Sequence, residues 1–519
     1  MSEPTVSSAP VDAADASFSQ RHPNITLTLA CATCAVIVLD TNVVAVSLPS
    51  IAHSFHASFA QIEWVVSAYM TAFAACLLPA GGLADRFGRR RTLLGGLVLF
   101  ALASFACGAA PSAAGLIAAR AVKGVGAALL LTAALSVIAH RFAQGPARER
   151  AWAVWGMGMG IATTLAPWVG GAITQWAGWR WIFLMNPPIC LALGVGAWIA
   201  IDESRDPHAK HIDAPGSLLF AASLACGVWA LIGIPSHGWD SAATCGRVAA
   251  SAALMAAFVC AERWQARPMI DLALFGRARF VGALLAMFGY AACAQVMMTF
   301  LPLYLQIAFG FSALAAGLGM LPFAVAMIVG PQLGAALSRR VATGGVLSAG
   351  LALIGVGNLA SAACAASGHY AYVALAMLVT GTGAGIMNGD TQKAIMACVP
   401  PQRTGMASGV STTTRFAAIV TSVGVLGAVL AVRTHSALAQ LVAASPRAAQ
   451  AVDSHFMASL LAGDLADAMR PLDAPVVQVL SRAAPLAFAQ GFSWALLLGG
   501  GFALAAALAV KLLADAHEA

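Results

Sequence analysis

Charge is scarce in this chain. Asp, Glu, Lys and Arg make up 9% of its 519 residues, whereas a soluble protein carries roughly 25%. That shortage excludes a water-facing surface over most of the molecule. Energy-transducing motifs are lacking as well. No Gly-x-x-x-x-Gly-Lys-Ser/Thr loop occurs, so the chain is not an ATP-driven pump by itself. No His-Glu-x-x-His and no paired Cys–His site occurs, so no metal, no cofactor and no catalytic residue is expected, and the chain is not read as an enzyme. Work done by such a chain has to draw on an ion gradient. Cysteine is present, 11 in all, but most lie in apolar runs. Cys31 and Cys34 form a C-x-x-C there and read as small apolar residues. Only Cys245 falls in an expected outer loop, so no disulfide framework is implied. The segment from Met1 to about Asn24 lacks the basic-then-apolar order of a cleavable signal peptide and reads as a disordered cytoplasmic N-terminus.

Apolar residues are abundant instead, at 60%. They recur in runs of about 20, each long enough to cross a hydrocarbon core of about 30 Å. The expected class is an all-α polytopic membrane protein; a β-barrel would alternate over segments of about 10 residues. Fourteen spans are read, at 26–50, 61–82, 92–110, 113–139, 151–173, 180–201, 215–235, 244–262, 280–306, 312–336, 345–366, 369–392, 405–432 and 490–513. With the N-terminus inside, the inner loops hold about 16 basic residues, from Arg86 to Arg403. The short outer loops hold only Arg180 and Arg247. This bias alternates without a break, and it explains the net charge of +7 as topology rather than nucleic-acid binding. An even count of spans puts both termini in the cytoplasm. The long outer segment 433–489 reads equally as a cap over the outer mouth or as a passive linker.

The densest charge lies in Gly81–Arg91, one acid and four arginines between two apolar runs. A degraded copy, Pro331 to Arg340, follows span 10, with Ser338 in place of the acid. Two six-span halves with two extra helices between them give this spacing. The implied division is an N-terminal bundle 25–201, a two-helix insert 202–279, a C-terminal bundle 280–513 that includes 433–489, and a tail 514–519.

Charge inside a bilayer is costly, so intramembrane ionisable residues are functional candidates. These are Asp40, Glu63, Arg120, Lys123, Asp390, Lys393 and Arg415. Counting along antiparallel spans at 1.5 Å per residue puts Asp40 and Arg120 at one depth in the outer half. Two readings are open for them: a proton carrier facing a cavity, or a static buried pair. Glu63, at the outer end of span 2, reads as a site residue or as a carboxylate solvated at the mouth. Asp390 and Lys393 suit an i,i+3 interfacial pair, and Arg415 is a candidate partner for Asp390. Small residues crowd span 5, among them Ala166, Pro167, Gly170 and Gly171. They permit close helix approach, and a mid-span proline permits a bend where neighbours re-satisfy the freed carbonyl. Trp64, Met298 and Met320 are read as packing rather than as a cavity lining.

Four motifs carry a resemblance. Gly82-x-x-Asp85-Arg86-x-Gly88-Arg89-Arg90 resembles the loop signature of the major facilitator superfamily. Leu39-Asp40-x-Thr-x-Val-x-Val-x-Leu48-Pro49, Arg120-x-x-x-Gly124-x-Gly126 and Trp179–Pro188 resemble its fourteen-helix drug:proton antiporter branch. Span 5 departs from the antiporter pattern, with Ala166 for a glycine before Pro167; Lys123 stands where glutamine is common. The resemblance implies two pseudo-repeated six-helix bundles plus two helices, and alternating access. It implies a proton-driven exporter of amphipathic or cationic small molecules, acting as a monomer in a bacterial inner membrane, with lipid, protons and substrate as its partners; whether other efflux components join it is open. A proton-coupled transporter of one metabolite is the alternative. The resemblance also assigns proton coupling to Asp40 and Arg120. It assigns a conformational switch to Gly82, Asp85, Arg86, Gly88, Arg89 and Arg90.

Overall fold

The computed structural model describes residues 23–142, 145–205, 214–264, 272–295, 297–399 and 404–515, and all regular structure among them is helical. The expected N-terminal tail lies almost wholly outside these residues, as do Lys210, Arg267 and Arg403. The first bundle comprises α1 (Pro23–Phe55), α2 (Phe59–Phe87), α3 (Arg89–Gly108), α4 (Ala113–Arg141), α5 (Gly145–Trp176) and the pair α6 (Trp181–Leu184) and α7 (Asn186–Ala200). Two additional helices follow, α8 (Ala214–His237) and α9 (Ala242–Trp264). The second bundle begins with α10 (Ala278–Tyr290), a π-helical turn (Ala291–Gln295) and α11 (Met297–Phe309). It continues with α12 (Ala313–Gly319), α13 (Leu321–Leu337), α14 (Thr343–Cys364), α15 (Tyr370–Ala397), α16 (Thr404–Val442) and, after three short helices, α20 (Ala474–Asp515).

Thirteen helical stretches among the described residues are long and apolar enough to cross a membrane. The fourteenth expected span is α5. It has the length, 32 residues, but its glycines, threonines and tryptophans lower its mean hydropathy. The chain is a multi-pass membrane protein.

Three spans are broken, each for a local reason. The sixth breaks at Met185, just before Pro187 and Pro188, and the tenth at Met320, just before Pro322. Each proline sits in the first turn of the second helix, where it offers no N–H to continue the preceding one. The ninth breaks in the π-helical turn. There Asn358 Nδ2 donates to the Cys293 carbonyl at 2.9 Å, and Ser422 Oγ donates to the Ala292 carbonyl at 2.6 Å. Broken backbone survives at membrane depth only with such replacement partners.

The additional pair packs against itself, and α8 also lies against α2 and α16, where the two bundles meet. Of α9 only Thr244, Phe258 and Glu262 are buried, so most of it faces outward. The segment expected as loop 433–489 is shorter than the sequence suggested, because α16 runs on to Val442 and α20 begins at Ala474. Between them lie α17 (Pro446–Ala451), α18 (Ser454–Ala462) and α19 (Leu465–Met469). Asp453 starts α18 by accepting from the Phe456 N–H at 2.7 Å, a side-chain cap. Phe456, Met457, Leu460 and Leu461 are buried, and α18 sits on α1 and α2. This cap defines one end of the molecule. The Gly81–Arg91 loop defines the other, the basic end.

Candidate functional site

Asp40 lies at the centre of the first bundle. Its side chain is 1% exposed, and those of Arg120 and Lys123 are 0%. Arg120 and Lys123 are one turn apart on α4 and so share a face. Arg120 Nη1 donates to Asp40 Oδ2 at 3.0 Å, and its Nε donates to the Val65 carbonyl at 3.0 Å. Lys123 Nζ donates to Asp40 Oδ1 and to Ser104 Oγ. Asn186 Nδ2, at the start of α7, donates to Asp40 Oδ1 at 3.2 Å and to Ser104 Oγ at 3.1 Å. Aromatic rings close the shell. The Arg120 guanidinium lies 4.2 Å from the Tyr69 ring, and the Lys123 ammonium 4.6 Å from Phe100 and 4.9 Å from Phe183.

The depth count from sequence thus brought together the right pair. Lys123 makes the cluster an acid with two cations, net +1. Asn186 belongs to the motif that begins α6 and α7, but nothing in its spacing pointed to Asp40. Four helices, α1, α3, α4 and α7, supply the polar groups, so a change in the charge of Asp40 is felt across the bundle.

The basic end is built differently. Asp85 and Arg89 pair at 3.2 Å as i,i+4 neighbours across the α2–α3 turn. Glu203, just beyond α7, accepts from the backbone N–H groups of Arg90 and Arg91 at 3.1 and 3.2 Å. A carboxylate there satisfies free N–H groups at the start of α3 and complements its dipole. Gly88 has φ +111, and a Cβ on it would strike the Glu203 carboxylate; glycine is required on both counts. Arg90 Nη1 donates to the Ile201 carbonyl at 3.3 Å. Arg86 lies beside Phe87, and Gly82 lies on the last turns of α2. Glu203 was not legible from sequence: it comes from over a hundred positions away.

The span-5 residues sit on a seam between the bundles, near the capped end. Ala166 is fully buried. A Cβ on Gly171 would meet the Ala313 carbonyl, one on Gly317 the Pro167 carbonyl, and one on Gly170 the Val43 carbonyl. The first two contacts cross from α5 to α12, so backbone there touches backbone. Gln306 Nε2 adds a bond to the Val46 carbonyl at 3.1 Å, from α11 to α1. The cap completes the closure. His53 Nδ1 lies 2.8 Å from Asp464, and Gly463 rests on Pro49 of α1 and Leu303 of α11. By contrast, Gly156, Gly158 and Gly160, on the basic-end half of α5, meet nothing within 4 Å.

Two expectations need correction. Of the two readings of Glu63, solvation at a mouth is not met: it is 3% exposed, and its carboxyl lies against Gly427 of α16. Arg415 does not partner Asp390. Its Nε donates to Gln295 at 2.5 Å in the π-helical turn, and its guanidinium lies near Tyr290. Asp390 instead takes Lys393 Nζ at 3.0 Å, the i,i+3 pair the spacing favoured. Met298 and Met320 are core residues. A crevice of ≈ 490 Å³ runs between α16 and α20 beside Trp239, lined by Arg433 and Trp494, apart from the Asp40 cluster.

Comparison with known proteins agrees with these features. The family model of the major facilitator superfamily matches residues 30–423. The methylenomycin A resistance protein of Streptomyces coelicolor is 34% identical over 397 residues, 76% of this chain and 82% of that protein. The multidrug resistance protein Stp of Mycobacterium tuberculosis is 34% identical over 399 residues, covering 76% and 74%. The cephamycin export protein of Amycolatopsis lactamdurans is 34% identical over 395 residues, covering 75% and 81%. In fold, the chain is similar to a bacterial homolog of the human lysosomal transporter Spinster in an inward-facing, occupied conformation. The TM-score is 0.66 at 16% identity, over 96% of this chain and 98% of that one. With its fourteen-pass helical plan, its signature loop and its relatives of matching length, the chain belongs to the major facilitator superfamily, and it is a transporter rather than an enzyme.

Proposed function

We propose that the protein is a proton-coupled exporter of amphipathic or cationic small molecules. It works by alternating access in a bacterial inner membrane, with the basic end and both termini in the cytoplasm. The observation that carries the reading is the buried Asp40–Arg120–Lys123 cluster. A carboxylate held at membrane depth by two cations is a charge balance that an arriving proton or cation alters. The relatives, resistance and export proteins among them, support export of small bioactive compounds. The steep bias of arginine toward one end supports the orientation.

In this reading the seam at Gly171, Gly317 and Gln306 is the closed outer gate, and the open surroundings of Gly156 to Gly160 belong to the cytoplasmic vestibule. The Asp85–Arg89 pair and its Glu203 neighbour act as the switch of the basic end, re-forming contacts as the bundles rock. Ala166, Pro167, Gly170 and Gly171 let α5 bear on α12 without side chains between them.

The test is efflux of ethidium, as an amphipathic cation probe, from cells producing the wild type or Asp40→Asn. Wild-type efflux is expected to stop when the proton gradient is collapsed. The D40N chain is expected to reach the membrane in normal amount and to lose gradient-dependent efflux. Unchanged efflux in D40N would sink the assignment of coupling to Asp40.

A further inference from the structure

Among the buried acids that the functional reading leaves unused, Glu63 is the one placed between the two bundles. Its carboxylate is covered on all sides, yet both oxygens lack a hydrogen-bond partner among the described residues. A bare carboxylate in that position carries a large desolvation penalty, whereas a neutral carboxylic acid carries far less. Its placement gives that preference a direction. Glu63 projects from α2 in the first bundle onto Gly427 of α16 in the second, and a Cβ at 427 would overlap Oε1. The carboxyl therefore occupies a notch that exists only while the capped end is closed.

Two further side chains extend the pattern. Ser67 and Thr71 follow Glu63 at i+4 and i+8, on the same face of α2. Both are buried, and both hydroxyls lack a partner among the described residues. Many hydroxyls in the spans bond back to the carbonyl four residues earlier, as Thr33, Thr41, Thr132, Thr163 and Thr164 do, whereas Thr413 and Thr434 of α16 share the unpartnered state of Ser67 and Thr71 among the described residues. Ser67 and Thr71 forgo that bond and remain available. The file descends about 12 Å along α2 at 1.5 Å per residue, to the level of Tyr69, whose ring stacks on Arg120. Successive groups are about 6 Å apart along the helix, a gap that one bridging water spans.

Nothing else at this level neutralises Glu63. The segments packed against α2 carry Arg120 and Lys123 on α4, His53 and Asp40 on α1, His56 in the turn after α1, His237 on α8 and Arg415 on α16. They also carry Arg433 and His435 on α16, and Asp453, His455 and Asp464 in the cap. None of these bonds a Glu63 oxygen. Arg120 is committed to Asp40 and the Val65 carbonyl, His53 to Asp464, and Arg433 lies over Trp494.

We propose that Glu63 is the proton-binding site of the capped-end seam. It is loaded while the seam is open and buried with its proton when the seam closes, and Ser67 and Thr71 lead inward from it. In the loading step a hydronium gives its proton to a Glu63 oxygen and leaves as water. After closure that proton passes to a water below, leaving a carboxylate that favours reopening. This rests on the proton-coupled reading above and adds to it the group that external protons meet first.

The experiment uses the purified full chain in lipid nanodiscs with protons as the only ligand. Infrared difference spectra between pH 8 and pH 5.5 are expected to show the carbonyl band of a buried carboxylic acid, absent in Glu63→Gln. In parallel, amide hydrogen exchange is followed in segments 42–47, 313–319 and 424–428, corrected for the intrinsic effect of pH. Wild-type exchange is expected to slow at least tenfold at the lower pH. In E63Q it is expected to be slow at both pH values, and in Gly427→Ala, which fills the notch, fast at both. A wild type whose seam ignores pH, or an E63Q chain that keeps the wild-type pH response, overturns the proposal. Ethidium efflux that survives collapse of the proton gradient would instead defeat the exporter reading, and the spectra would still report on Glu63.

Discussion

The two bundles share a plan but not a charge distribution. In the first, Asp40 is enclosed by Arg120, Lys123, Asn186 and Ser104, all buried, and the side chains of the acid and both cations are at most 1% exposed. In the second, Asp390 meets Lys393 one turn away on its own helix, and the lysine is 74% exposed. Arg415 takes a neutral partner, Gln295. The Gly81–Arg91 loop shows the same divergence, since its copy has Ser338 where Asp85 stands. Helix packing survived duplication and charge did not. Mutual packing requires only small and apolar residues at the contacts, so either half tolerates loss of an ion pair unless the chemistry occupies it.

The largest effect expected from this contrast is at Asp40. Asp40→Ala leaves two buried cations facing each other, and breaking such a network costs about 3–5 kcal/mol. Asp390→Ala is expected to cost under about 1 kcal/mol. Denaturant unfolding of both variants in detergent checks this, and equal losses would erase the distinction between the halves. Next is Gly317→Leu, which drives a side chain into the Pro167 carbonyl across the seam. Overpacking of about 1–3 kcal/mol is expected, taken from the closed capped end, so hydrogen exchange should rise around 313–319. Lys123→Gln sharpens the comparison further. It leaves Asp40 with Arg120 and Asn186 and should change stability by about 1 kcal/mol or less, because an ion pair with a satisfied acid remains. His53→Ala removes a half-exposed partner of Asp464, for about 0.2–1 kcal/mol; protease sensitivity of the cap is the readout. Smallest is Lys393→Ala, at under about 0.5 kcal/mol by thermal unfolding.

Much of this was legible in the sequence. The apolar runs marked where the long helices lie, and the count along antiparallel spans placed Asp40 beside Arg120. The i,i+3 pair at Asp390 was equally local. What escaped was set by distant contacts. Glu63, near a helix start, left a site role and solvation both open, and its cover comes from Gly427, hundreds of positions away. Arg415 was expected beside Asp390, but it bonds Gln295 of the π-helical turn, over a hundred positions away. Glu203 reached the start of α3 only because α7 ends beside it. The file Glu63, Ser67, Thr71 had a visible four-residue spacing. Its meaning depended on which hydroxyls go unbonded, and no sequence pattern reports that.

The cap has a mechanical consequence. By covalent connection α17 to α19 belong to the second bundle, strung between α16 and α20. By contact α17 stays with α16 and α20, but α18 and the turn after it reach the first bundle through His53, Pro49 and the faces of α1 and α2. A segment owned by one body and fastened to the other acts as a clutch. Parting the bundles at this end requires α18 to lift Phe456 and Leu460 from their seat or to travel with α1 and drag on its own tethers. Either way the dwell time of the closed state contains a term set by residues remote from any charge or substrate. Shortening or loosening the tethers at Ala443 to Ser445 should therefore alter how long the molecule waits between turnovers while leaving what it carries unchanged.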